Sequence, residues 1–197
     1  MAYQLTPWGY EVDGDLPPLL TVEAFDDMTG GKWSGDGRIE LAIASASAAI
    51  RDWCGWHVAG TMTCRATVDG DGKGSIWLPT TCLVAVTSIE YAATQPSGFQ
   101  WSRIGQVLPS EPAPVGLGSA TVTYRAGFAT APDNVAAIVA GLVVRGVALS
   151  YGVTQETAGG VSVSYAQGAA YAASSAALTD ADRQSLTPYR VVRSHAA

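Results

Sequence analysis

Residues 135–151, "VAAIVAGLVVRGVALSY", restrict the fold more than any other stretch of this chain. Pro132-Asp133-Asn134 provides a helix start, and the residues after it present almost no polar side. Val135, Ile138, Val139, Leu142, Val143, Val147 and Leu149 spread around most of the helical circumference. A helix apolar all round is a buried helix. The chain carries few other helices to cover it, so neighbouring subunits are expected to bury part of it. Val135, Ile138, Val139, Leu142, Val143 and Val147 are then the intersubunit candidates. Crossing a membrane is the other use of such a run. At about 17 residues it lies at the short limit for a span, and Arg145, Gly141 and Gly146 interrupt it, so no membrane partner is expected.

The rest of the chain supports a soluble reading. With 197 residues, 48% hydrophobic and 14% charged, it suits one domain, or a core with one sizeable insertion, and it is no disordered chain. The formal charge of −6 argues against gripping nucleic acid, which takes clustered Lys and Arg. No basic-then-apolar leader opens the sequence, so no signal peptide is expected. Cys54, Cys64 and Cys82 lack CxxC spacing and read as reduced, packed thiols.

Residues 1–18 read as an extended arm ending at Pro17-Pro18. A short helix comes next, with Thr21 as N-cap and Leu20 and Phe25 as its hydrophobic staple. The clearest helix is "RIELAIASASAAIRDWCGWHV". Ile39, Ile43, Ala46, Ile50 and Trp53 step by four and three along one face, Asp36 caps the start, and Gly55 closes the end. From residue 61 the period changes to two: Met62, Cys64, Ala66 and Val68 alternate with Thr61, Thr63, Arg65 and Thr67, the pattern of a half-buried strand. "DGDGKG" reads as a turn, with "SIWLP" as the hairpin partner. "CLVAVTSIEYAA", "FQWSRIGQVL" and "SATVTYRAG" read as further strands, and "PSEPAPVGLG" as an exposed Pro-rich loop. The pliable "GGVSVSYAQGAAYAASS" leads to a short helix with a capping box, Thr179 to Asp182, stopped by Pro188.

The fold class is therefore α+β. We expect a small helical bundle (19–57 and 128–152) with a β-rich insertion (58–127) between the second and third main helices. A C-terminal arm with a short helix (153–197) completes it.

No motif nominates chemistry. Asp69 and Asp71 resemble the first ligands of a Ca²⁺ loop, but Thr80 stands where the bidentate Glu belongs. Gly72-Lys73-Gly74-Ser75 resembles a phosphate loop without its first Gly or its helix. A hairpin turn explains the same residues. His57 and His195 have no marked nucleophile or acid beside them, and Asp26, Asp27, Asp180 and Asp182 suit helix ends. We expect no catalytic, cofactor or metal residues. Of the six tryptophans, Trp53 belongs to the core stripe, while Trp33 and Trp56 are equally suited to an interface.

Four stretches together resemble a known family. They are "GRIELAIASASAAIRDWCGWHV", "IWLPTTCLVAVTSIEY", "VTYRAGFATAPDNVAAIVAGLVVRGVA" and "LTDADRQSLTPYR", and their order is similar to that of the tailed-phage head–tail connector (adaptor) proteins, the ring-forming neck subunits below the portal. The resemblance spans about residues 20–190, and the β region here is longer and richer in Pro than in the simplest members. It implies a structural virion protein and no enzyme. It also implies a ring of copies, twelve-fold, extending the DNA channel, with double-stranded DNA passing through without sequence-specific binding. The partners implied are the portal protein on one side and the next neck or tail-terminator protein on the other. Carried onto this chain, the portal-docking segment is about 161–193, with Tyr165, Tyr171, Tyr189 and Arg190 as its candidates. Two other readings stand beside it. One is another virion subunit, a tail-completion or minor capsid protein. The other is a small hydrolase or carbohydrate-binding β module using Trp77 and Trp101.

Overall fold

A computed structural model describes residues 3–92, 94–150, 155–158, 161–164 and 177–191. The fold is α+β, and the chain divides into two compact units. One comprises residues 1–17, 54–130 and 189–197, and is built on sheets; the other comprises residues 18–53 and 131–188, and holds the helices.

The sheet unit is organised by a five-stranded antiparallel sheet in the order β1-β2-β3-β8-β5. Its strands are β1 (Tyr3–Leu5), β2 (Glu11–Asp13), β3 (Met62–Gly70), β5 (Leu83–Tyr91) and β8 (Gly116–Ala126). The alternation read at 61–68 is present: Cys64 and Ala66 are buried, and Arg65 and Thr67 are exposed. Two expectations need correction. β3 does not fold back onto "SIWLP": it pairs with β2 and β8, and β4 (Ile76–Trp77) joins β6 (Phe99–Trp101) and β7 (Gln106–Pro109) in a separate sheet ordered β4-β7-β6. The turn residues leave β3 but connect two sheets, and the Asp69 carboxylate accepts from the amide of Gly118 on β8 (2.7 Å), adding to the ladder at that end of β3. The N-terminal segment is no loose arm either. β1 and β2 form a hairpin that adds to the edge of β3, and Tyr10 and Val12 lie in the core.

The helical unit contains α1 (Val22–Thr29), α2 (Ile39–Cys54, the last residue of which lies in the sheet unit), α3 (Asp133–Ser150) and α4 (Asp180–Leu186). Most of its signals behave as read, although Trp53, placed in the core stripe, is only half-buried. The Thr21 side chain accepts from the Ala24 amide (3.2 Å), and Leu20 and Phe25 are buried. The Asp36 carboxylate accepts from the Arg38 amide (3.0 Å), the stripe Ile39, Ile43, Ala46 and Ile50 is buried, and Gly55 takes the left-handed conformation at φ 77°. The apolar helix α3 finds most of its cover inside one chain. Val135, Val139, Leu142, Val143 and Val147 are buried, and only Ile138 of the six intersubunit candidates is half-exposed. The premise that a single chain lacks the surface to cover α3 is therefore corrected.

The C-terminal helix α4 packs on α3. Arg145 pairs with Asp182 (3.0 Å), the Asn134 amide donates to the Ser185 carbonyl (3.5 Å), and the Arg183 guanidinium lies 5.2 Å from the Trp53 ring centre. The capping box is complete, with Thr179 and Asp182 each accepting from the other's amide (3.2 and 3.0 Å). Burial works to raise the Asp182 pKa, but bonds from the Thr179 amide and hydroxyl, together with Arg145, outweigh it and hold the carboxyl below its ordinary value. A depressed carboxyl stabilises fully above its unfolded pKa of about 3.9 and loses that contribution as pH falls through the folded value. Thr179→Ala should cost α4 about 1 kcal/mol, read as faster amide exchange across 180–186. Unchanged exchange there would show that α4 is held by packing alone.

Candidate docking surface

A chain of rings orders the middle of the sheet unit. Trp8, Tyr10, His57, Trp56, Phe128 and Tyr189 succeed one another at centroid separations of 6.2, 6.0, 5.3, 6.3 and 5.7 Å. His57 is 1% exposed and hydrogen-bonded on every side, as a structural histidine must be. Its Nε2 faces the Ala126 carbonyl (3.0 Å), so that nitrogen carries the proton and donates. Its Nδ1 then accepts from the Tyr10 hydroxyl (2.8 Å), which itself accepts from the His57 amide (3.0 Å). No lone pair remains for catalysis. The ring instead ties the N-terminal hairpin to the end of β8.

Trp56 is fully buried and is a core residue, not an interface anchor. Its indole N–H donates to the Tyr189 carbonyl (2.6 Å), and the Val191 amide donates to the Cys54 carbonyl (2.8 Å). Tyr189 also meets Phe128 edge to face. Tyr189, expected as a docking residue, is thus bound into its own chain, while Arg190 is exposed beside it. Tyr165 and Tyr171 lie outside the described residues.

Arg190 and Val191 open onto a groove of about 750 Å³, whose other walls include Trp8, Asp69, Trp77 and Ile104. Trp77 is 54% exposed and Ile104 59%, and further along the same unit Val115 and Leu117 stand 80% and 90% exposed. Trp77 and Ile104 thus give the groove an exposed apolar wall. Register argues against a carbohydrate platform. Trp77 pairs with Gln106 and Trp101 with Val107, so the two indoles stand on opposite faces of the small sheet. Ile104 and Trp8 were not legible as groove residues, because one sits in a tight loop and the other in the supposed arm.

Among the described residues, no group of three or more His, Cys, Asp or Glu side chains is placed to hold a metal, and no helix is long and apolar enough to cross a membrane. Asp71 accepts from the Lys73 amide (2.7 Å), as a turn residue does. All three thiols are free and buried. Burial pushes Cys54 and Cys64 up to about 12, with Arg190 pulling Cys54 slightly the other way. Both are protonated at neutral pH, so a thiol reagent should label neither until denaturant is added. Fast labelling of Cys54 or Cys64 in the native protein would contradict this packing.

The family model described as head completion protein matches residues 18–179, and the chain belongs to that family. The family match bears out the head–tail connector resemblance read from the sequence. No curated protein matches the chain. Among solved structures it is similar to a chain of the neck of a native GTA particle computed with C12 symmetry. The TM-score is 0.57 at 16% identity, covering 100% of this chain and 99% of that one.

Proposed function

We propose that this protein is a head–tail adaptor: copies form a ring beneath the portal, extend the DNA channel, and present a surface to the next neck or tail protein. The observation that carries the reading is the family match over 18–179, joined to a full-length likeness of fold to a chain of a GTA particle neck computed with C12 symmetry. A twelve-fold ring is the corresponding stoichiometry. Portal docking is assigned to the C-terminal region, with Arg190 as its exposed anchor, Tyr189 fixing where Arg190 projects, and Tyr165 and Tyr171 contributing from the arm. In α3, Ile138 is the residue left to meet a neighbour, while Val135, Val139, Leu142, Val143 and Val147 support it from within. An acidic chain with a net charge of −6 suits a wall along which DNA must slide, since like charge repels phosphate.

The test is the mass of the purified protein, alone and with its cognate portal assembly, by light scattering with negative-stain imaging. A ring, free or induced by the portal, is expected. A monomer in both conditions, without portal binding, would refute the adaptor.

A further inference from the structure

The five-stranded sheet ends on β5, and among the described residues no further strand pairs with its outer side. Its inner side is laddered to β8 from Leu83 to Tyr91, with irregularities after Leu83 and after Val86. On the outer side, the Leu83 amide donates to the Arg103 carbonyl (2.7 Å) and the Tyr91 amide to the Thr94 carbonyl (2.9 Å). Between those two bonds, no backbone group of Val84 to Glu90 has a partner beyond the ladder among the described residues. A row of unpaired amides and carbonyls is a template for another strand, and proteins normally blunt it. Here the two irregularities and the exposed Glu90 restrict the edge without closing it, and they leave a regular stretch at Ser88–Tyr91.

The same chain has a second incomplete β element. β9 (Gln155–Ala158) and β10 (Val161–Ser164) pair with each other in a sheet of two strands, separate from the rest. An isolated two-stranded hairpin is marginal in water and gains stability when a third strand joins it. Its strands have four residues each, the length of the regular part of the β5 edge. The sequence "VSVS" of β10 alternates as a strand on a one-sided sheet does.

We infer that in the assembled ring the β9–β10 hairpin of one copy adds to the β5 edge of the next. This deepens the adaptor reading and rests on it. The two surfaces differ, so each copy donates once and accepts once, and such a heterologous contact closes into a ring when the rotation allows. Backbone bonds supply the attraction, as in strand addition generally. The irregularities at the start of β5 and the charge of Glu90 near its end disfavour pairing with other strands.

The test is double. The oligomer is first established by light scattering, free or on portal assemblies. In that oligomer, amide exchange across Val84–Glu90 and across 155–164 should slow by about tenfold or more relative to the unassembled chain. Paired cysteines, Ser88→Cys with Ser162→Cys or Ser164→Cys, should then give a ladder of covalent multimers on oxidation, absent from each single variant. A ring without slowed exchange at β5 overturns the hairpin contact and leaves the adaptor standing. A disulfide formed only within one chain overturns exchange between copies. Absence of any ring overturns the adaptor reading and this inference with it.

Discussion

Trp56→Ala is expected to destabilise the sheet unit by about 3–5 kcal/mol, the range for emptying a buried aromatic site. Three contributions add. The indole is fully buried, so its apolar area returns to water and a cavity remains. Its edge-to-face packing on His57 at 5.3 Å is lost, and that imidazole orders both the Tyr10 hydroxyl and the Ala126 carbonyl. The Tyr189 carbonyl also loses its donor, releasing the segment that presents Arg190. Trp56→Phe separates these effects. It keeps a phenyl ring in the site but removes the N–H and part of the indole volume, and should cost less, about 1–3 kcal/mol. Because the chain has two units, a single unfolding midpoint is the wrong observable. Amide exchange of β3 and β8, measured against that of α3, reports the sheet unit alone. If Trp56→Phe costs as much as Trp56→Ala, the hydrogen bond to Tyr189 rather than the packing holds this region together. If the Val191 amide keeps its protection in both variants, Trp56 does not anchor the C-terminal segment.

Legibility in the sequence divides along the range of the interactions. Helix ends are local: Thr21, Asp36, Gly55 and the Thr179–Asp182 box each act within a few residues, and each was legible. Most strands between 61 and 126 were legible for the same reason, since a period of two is written in adjacent residues, but "FQWSRIGQVL", read as one strand, is two, β6 and β7, paired antiparallel across a turn at 102–105. Strand partners were not legible. Whether β3 turns onto β4 or reaches β8 is decided by the ladder running from Met62 opposite Ala126 to Gly70 opposite Gly116, made across residues distant in sequence. Tyr10 looked like part of an arm because its partner, His57, is equally distant. Helix α3 shows the opposite failure. Its period was read correctly, but how much of it a single chain can cover depends on how Val135, Val139, Leu142, Val143 and Val147 pack in three dimensions. For the candidate surface, Arg190 and Trp77 were singled out from sequence. The groove that unites them with Trp8 and Ile104 is a property of loops, which carry no period.

Gly127→Ala is the second large effect expected, and the backbone around it explains why. β8 ends at Ala126, and the chain turns at Gly127 with φ 109°, a conformation L residues avoid. Here space is also lacking: a Cβ would stand 2.6 Å from the Gly60 carbonyl oxygen and 2.7 Å from His57 Nε2. Neither neighbour yields cheaply. The His57 ring is fixed by Tyr10 and Ala126, and the Gly60 amide is bonded to the Phe128 carbonyl (3.0 Å). The segment between them is already strained. Val58 is buried at φ 65°, and the Ala59 amide donates to the His57 carbonyl (2.8 Å), a tight γ-turn that costs about 1–3 kcal/mol and persists only where its surroundings impose it. Gly127→Ala is therefore expected to cost about 2–4 kcal/mol, combining the left-handed backbone with the displacement of His57. Gly9→Ala is the control: its φ is 84° and nothing lies within 4 Å of the added Cβ, so it bears only the backbone cost, about 1 kcal/mol. The difference between the two variants measures the clash, and the His57 imidazole resonances should shift in Gly127→Ala and not in Gly9→Ala. Equal costs would mean that the γ-turn relaxes to admit the methyl group, and that His57 is a less rigid staple than its hydrogen bonds require.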